Sequence, residues 1–235
     1  MIKEVINKYK FYYYCRRAYH RLILFRVRNN SIPKDFIRKK VIFIHIPKSA
    51  GNAITRSLFN TESMNLGGHS SALHYFEADE SSFNSCFKFT FSRHPVSRFI
   101  SAFNFLKNGG ITETDREWSK VFIQDSKDIH DFIRKMRKRF FLNEVLSYCH
   151  FIPQHYFVCG YNDEILVDYV GKYENSIEDI DKLRERFEMS YPLEDVNVTA
   201  QKRRNNDALN TEEIEFIENI YSKDLEIFSY QSILH

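Results

Sequence analysis

The chain has few cysteines, no long hydrophobic run and no internal repeat, and each lack excludes something. Its four cysteines, Cys15, Cys86, Cys149 and Cys159, form no CxxC pair and no tight cluster with histidine. That argues against a structural zinc site and for a reducing compartment. Cys86 falls on an expected strand and reads as a small core residue. In the N-terminal region the longest apolar run is Leu22–Phe25, far too short to span a bilayer, and the region lacks the apolar stretch and small-residue cleavage site of a secretory leader. Without a repeat, 235 residues suit one good-sized domain. The nucleotide-kinase loop G-x-x-x-x-G-K-[ST] is also missing.

What is present is a well-supplied core and an uneven charge. Hydrophobic residues make up 43% and aromatics 16%, which excludes global disorder. The net charge of +3 hides an asymmetry: residues 1–40 hold twelve Lys/Arg against two Asp/Glu, and the remainder hold 22 against 29. The basic stretch is interleaved with Tyr9, Phe11, Tyr12, Tyr13, Tyr14 and Leu22–Phe25. Such a segment can lie on an anionic membrane surface, or pack on the domain as a helix with a solvated basic face. Residues 1–40 are therefore set apart as a basic aromatic segment, and residues 41–235 as the domain.

The domain is organised around Val41–Phe59, VIFIHIPKSAGNAITRSLF. Val41–Ile44 predicts a buried strand that Pro47 stops. A turn of small residues follows, Ser49-Ala50-Gly51-Asn52-Ala53, with Lys48 at its mouth, and Ile54, Leu58 and Phe59 recur at helical spacing. Strand, small-residue loop and helix present free backbone N–H groups to a phosphate or sulfate, and Lys48 adds a point charge. Taken alone, the turn is equally an ordinary strand-to-helix connection. A second unit, Phe87–Phe103, repeats the pattern. Phe87, Phe89 and Phe91 alternate as a strand, Ser92-Arg93-His94 leave its carboxyl end, and Pro95 opens a helix through Phe103. Arg93 thus occupies the place that Lys48 occupies, at a strand's carboxyl end where α/β sheets bind ligands. If the strands are neighbours, about 5 Å apart, two cationic sites stand side by side and suit a ligand with two anionic groups.

IHIPKSAGNAI followed by RHPVSRFISAF resembles the paired cofactor motifs of the carbohydrate sulfotransferases of the heparan/chondroitin and bacterial glycan type. The resemblance continues through Phe151-Ile152-Pro153-Gln154, Lys172-Tyr173-Glu174-Asn175, Asn197-Val198-Thr199 and Tyr221…Asp224-Leu225…Phe228…Tyr230, roughly residues 41 to 230. It implies 3′-phosphoadenosine-5′-phosphosulfate (PAPS) as donor. Lys48 and Ser49–Ala53 would grip the 5′-phosphosulfate, and Arg93 and Ser101 the 3′-phosphate. It also implies a P-loop-like three-layer α/β fold with a central parallel sheet flanked by helices, in-line sulfuryl transfer to a glycan hydroxyl, and no metal. Golgi relatives carry a membrane anchor, so the chain is expected to be of the soluble bacterial kind. The expected place is the cytoplasm, with peripheral contact at an anionic inner membrane surface left open. No nucleic-acid partner is expected.

Gly67-Gly68 breaks any regular element, and His69 follows it. On the residues alone His69 is a surface-loop histidine or a general base folded towards Lys48. Relatives of the family place a catalytic histidine in a G-H segment between the two motifs, which favours the base. His74 is the rival, and His45 and His94 are expected to support the loops. Further along, Ser126–Phe140 predicts a helix capped by Ser126, with Ile129, Phe132, Ile133 and Met136 inward and a basic end at Arg134–Arg139. That end is a solvated face or an attractor for an acidic glycan. Glu164–Asp168 predicts a third strand, Ser176 opens a helix with apolar positions 177, 180, 183 and 187, and Thr211–Phe228 closes the chain as one helix. The basic loop at Lys202-Arg203-Arg204 could cover a ligand or be solvated. Two other functions stay open: a kinase-like phosphotransferase, for which Asp168 would be the magnesium carboxylate, and a non-catalytic binder of polyanions or membrane surfaces.

Overall fold

The computed structural model describes residues 31–49, 51, 54–55, 67–187 and 209–234. The expectations for Leu58, Phe59, Asn197–Thr199, Lys202–Arg204 and most of the basic N-terminal segment lie outside these residues. A three-stranded parallel sheet of order β1-β2-β3 (Val41–Ile44, Phe87–Ser92, Tyr169–Lys172) is set among helices, giving a mixed α/β architecture. β1 pairs with β2 from Val41↔Phe87 to Ile44↔Thr90, and β2 with β3 from Phe89↔Tyr169 to Ser92↔Lys172. All four β1 residues are buried, as in a strand covered on both faces, and this explains why it is an unbroken apolar run. The buried Thr90 is tolerated on β2 because its hydroxyl donates to the Ile44 carbonyl at 2.7 Å.

Helix α1 (Lys34–Lys39) precedes β1 and buries Phe36. Ile32 and Phe36 belong to the core around the sheet, so the packed unit reaches N-terminal to Val41. Helices α2 (Ala72–Ala78) and α3 (Glu80–Ser85) connect β1 to β2. Between β2 and β3 come α4 (Pro95–Lys107), α5 (Glu113–Phe122), α6 (Ile129–Met136), α7 (Arg139–Leu146) and the short α8 (His155–Val158). After β3 come α9 (Ser176–Phe187), α10 (Thr211–Ile220) and α11 (Ser222–Ile227). A second, aromatic core lies around α4, where Phe99, Phe103, Phe132 and Phe151 pack ring on ring.

Five expectations are corrected. The helix at 126–140 begins at Ile129: Asp128 is extended and caps it by accepting from Asp131 N at 2.9 Å, while Ser126 Oγ instead lies 3.3 Å from Lys135 Nζ. The four expected apolar residues are its buried ones, but it ends at Met136 and α7 starts afresh. The third strand is Tyr169–Lys172, not Glu164–Asp168; Ile165 makes only an isolated bridge to Cys159. The closing helix breaks at Tyr221, whose hydroxyl donates to the Phe151 carbonyl at 2.8 Å. On α9 Ile180 and Leu183 are buried, whereas Ile177 is exposed. Cys86 is buried as expected, but one residue before the strand.

Candidate active site

The carboxyl ends of the three strands feed one site. Lys48 follows β1 with φ 69°, in the left-handed region, and Gly51, Ile54 and Thr55 are helical beyond it. Gly51 is needed there for a close approach: a Cβ would lie 1.9 Å from the His45 ring. The glycine therefore clears space for His45, which stacks on Phe43 at 5.7 Å between ring centroids. Ala50, Asn52 and Ala53 lie outside the described residues; Ser49 is buried, with its hydroxyl 3.5 Å from Gln154 Oε1.

Arg93 follows β2 and reaches across. Its Nη1 donates to the Lys48 carbonyl at 3.2 Å, its Nε donates to Ser97 Oγ at 3.0 Å, and its guanidinium lies 4.1 Å from the Tyr173 ring beyond β3. The two motifs expected to be neighbours are thus in direct contact. Within the protein the serine that meets Arg93 is Ser97; Ser101 is half-buried one turn further along α4. His94 caps α4, accepting from Val96 N through Nδ1 at 3.3 Å, and Pro95 is its first residue.

Gln154 ties the loops together. Its Oε1 accepts from Arg93 N at 2.9 Å, and its Nε2 donates to the Arg93 carbonyl at 2.7 Å. Gln154 N in turn donates to the fully buried Asp224, which also accepts from His155 N. These residues are the FIPQ and closing segments of the sequence pattern, and their work is to hold the strand-end loops in register. Glu174 and Tyr230 do likewise: Glu174 accepts from His94 N at 2.8 Å and from the Tyr230 hydroxyl at 2.9 Å.

Arg98, one turn into α4, is 2% exposed and donates from Nε to the Pro47 carbonyl at 3.0 Å. Its Nη2 is buried with no hydrogen-bond partner among the described residues. Lys48 Nζ lies 3.8 Å from the Phe105 ring centroid. Burial, then the positive charges of Arg93 and Arg98, push the Lys48 ammonium down to about 8, against an opposing pull from Asp115. A lysine so depressed among arginines marks a site with surplus positive charge, suited to an anion.

His69 stands beside the β1 end of this site, next to His45 and His150. Gly67 and Gly68 have φ of 81° and 61°, and the Tyr75 hydroxyl donates to the Gly67 carbonyl at 2.9 Å. The glycines thus form a pinned turn rather than a free one. His69 Nδ1 lies 3.2 Å from the His45 carbonyl and its ring 4.5 Å from the His45 ring. A carbonyl only accepts, so Nδ1 carries the hydrogen and Nε2 is left as a proton acceptor. Burial, with His45 and His150 nearby, holds the ring well below the ordinary histidine range, so it is neutral at neutral pH. His74 is buried in the first turn of α2, where its backbone N–H donates to the cap residue Ser71.

His150 and Asp115 were missed by the sequence reading. His150 stands 6.0 Å from His69 between ring centroids and 4.8 Å from Phe105, and its Nε2 is 3.2 Å from Asp115 Oδ1. No motif marks them; the only available signal was polar side chains amid the aromatics around Trp118 and Tyr148. Asp168, by contrast, leaves the site. It accepts from Lys88 N at 2.7 Å at the start of β2, the end of the sheet opposite Arg93. A magnesium carboxylate for a kinase is needed at the other end, so the phosphotransferase reading loses its one support.

A sequence model of the sulfotransferase family matches residues 36–231. The chain belongs to the sulfotransferase family. Family membership makes it a transferase of sulfuryl groups, and the match covers both strand-end loops, Gln154 and the closing helices. Comparison with curated proteins and with solved structures finds no match. Among the described residues of this sulfotransferase, no helix is long and apolar enough to cross a membrane, and no group of three His, Cys, Asp or Glu could hold a metal ion.

Proposed function

We propose that this sulfotransferase is a PAPS-dependent carbohydrate O-sulfotransferase on a P-loop-like three-layer fold. The observation that carries the reading is the gathering of Lys48, Arg93 and Arg98 at the ends of adjacent parallel strands, with Arg98 Nη2 buried and unpartnered among the described residues. Those cations fit a nucleotide with separated anionic groups. PAPS supplies the sulfuryl group and the 3′,5′-ADP leaving group. Arg93 and Ser101 hold the 3′-phosphate, and backbone N–H groups of Ser49–Ala53 the 5′-phosphate. Lys48 neutralises charge as it develops on the leaving side. His69 Nε2 takes the proton of the acceptor hydroxyl, while the His45 carbonyl keeps Nδ1 protonated and the ring oriented. The chemistry asks chiefly for positioning and charge stabilisation, as in phosphoryl transfer.

Incubation with ³⁵S-labelled PAPS and a panel of neutral and acidic glycans tests this reading. Label in a glycan supports it; label only in phenols or proteins retains the family and removes the carbohydrate acceptor.

The lysine gives a pH test. An anion binds the charged ammonium better than the neutral amine, and in the free protein that ammonium titrates near pH 8. Affinity for 3′,5′-ADP should be level below pH 8 and fall above it, by up to about tenfold per pH unit. Calorimetric titration between pH 6 and 10 checks this, and proton uptake on binding near pH 8 should accompany it. A level profile to pH 10 would mean that Lys48 does not touch the ligand.

A further inference from the structure

Asp115 is the third residue of α5, and its two oxygens do separate work. Oδ2 accepts from the backbone N–H groups of Ile111 and Thr112, at 3.1 and 3.0 Å, and so completes a capping box with Thr112. Capping does not explain Oδ1. That oxygen accepts from the Tyr148 hydroxyl at 2.6 Å and from His150 Nε2 at 3.2 Å. Burial alone would raise this carboxyl, which is only 5% exposed, but the hydrogen bonds from His150 and Tyr148 prevail and hold it well below the ordinary carboxylate range.

The same His150 ring packs on Phe105, the ring that seats the Lys48 ammonium. The charged groups acting on Lys48 come from three elements. Arg93 at the end of β2 and Arg98 on α4 drive its proton off, and Asp115 on α5 opposes them. His150 adds no charge of its own: burial, Lys48 and Arg98 keep it neutral against the pull of Asp115. Of three clustered cations, a lysine surrenders its proton before either arginine does. The site therefore needs a buried negative charge to keep Lys48 charged before an anion arrives.

We propose that Asp115, through the charge of its buried carboxylate, is the positioning residue that keeps Lys48 cationic in the free enzyme. This deepens the proposed function, on which it rests for the role of Lys48.

The test is nuclear magnetic resonance of the full chain labelled with ¹³Cε-lysine, with Lys48→Met supplying the assignment. Asp115→Asn keeps an oxygen for the two backbone N–H groups of the cap and removes the charge. It should lower the Lys48 midpoint by about one pH unit. Tyr148→Phe removes a hydrogen bond but leaves the carboxylate, and should leave the midpoint near that of the wild type. An unmoved midpoint in Asp115→Asn overturns the proposal, as does an equal shift in Tyr148→Phe, the mark of a merely structural role. Lys48→Met is the reciprocal arm should Asp115→Asn fail to fold. His150, relieved of a repelling cation, should titrate at higher pH by histidine resonances, and an unmoved His150 overturns the proposal. These readouts use no nucleotide. Failure to bind 3′,5′-ADP with the shifts intact would count against the functional reading and not against Asp115.

Discussion

His69→Ala is expected to keep its affinity for 3′,5′-ADP and to lose about 10²–10⁴ in turnover, the usual span for a general base. The ring is not a nucleotide-gripping cation, because burial first, then His45 and His150, keep it neutral. Its hydrogen bond to the His45 carbonyl fixes the tautomer that leaves Nε2 able to accept a proton. The sign for pH follows. A histidine pKa below the ordinary 6.5 places the acid limb of kcat/KM below pH 6.5, and the alanine variant should lose that limb. His74→Ala should lose far less, since His74 sits in a capped helix turn. Single-turnover sulfation beside nucleotide affinity separates chemistry from binding. Normal turnover in His69→Ala, or a defect wholly in nucleotide affinity, would remove the assignment. A large loss in His74→Ala with normal His69→Ala would move the base by five residues.

Arg93→Ala is expected to cost about 1.5–3 kcal/mol, roughly ten- to a hundredfold, in affinity for 3′,5′-ADP and much less for 5′-AMP. Among the described residues, the bonds to the Lys48 carbonyl and to Ser97 use two of the guanidinium's five donors, which leaves three for a phosphate. Tyr173 beneath the guanidinium fixes its plane. Titrating wild type and variant with both nucleotides checks the claim. Equal losses would show Arg93 acting through the Lys48 loop it braces rather than by reading the 3′-phosphate.

The part of the fold legible in the sequence was the part written in short-range patterns. The apolar run Val41–Ile44, the alternation at Phe87–Phe91 and Pro95 at a helix start fixed two strands, one helix and the loops between them, because each pattern is local. Contacts between segments distant in sequence explain where reading failed. Asp168 follows an apolar run and so looked like a strand end, yet its carboxylate closes the opposite edge of β2. Tyr221 has helical spacing on both sides, and only its hydrogen bond to Phe151, far away in sequence, reveals the break. In the candidate site, Lys48, Arg93 and His69 were visible because their loops are punctuated by glycine and proline. Gln154 lay within a recognised segment, but its role depends on two loops meeting. Asp115 and His150, 35 residues apart, announce nothing until the chain folds. Gly51 belongs to a turn read as offering backbone N–H groups to an anion, and the space that a Cβ would take there is filled by the His45 ring.

The ends of β1 and β2 are expected to form a site for a nucleotide bearing both 3′ and 5′ anions. The most direct measurement is the melting temperature of the wild-type protein at pH 7 with 3′,5′-ADP, with 5′-AMP, and with ATP plus magnesium. At a hundredfold excess over Kd, a ligand of the native state alone adds about 2.7 kcal/mol, or roughly 5–10 °C for a domain of this size. The expected result is a shift of that order with 3′,5′-ADP, a small one with 5′-AMP and none with ATP and magnesium. No shift with 3′,5′-ADP, or an equal one with ATP and magnesium, would contradict it.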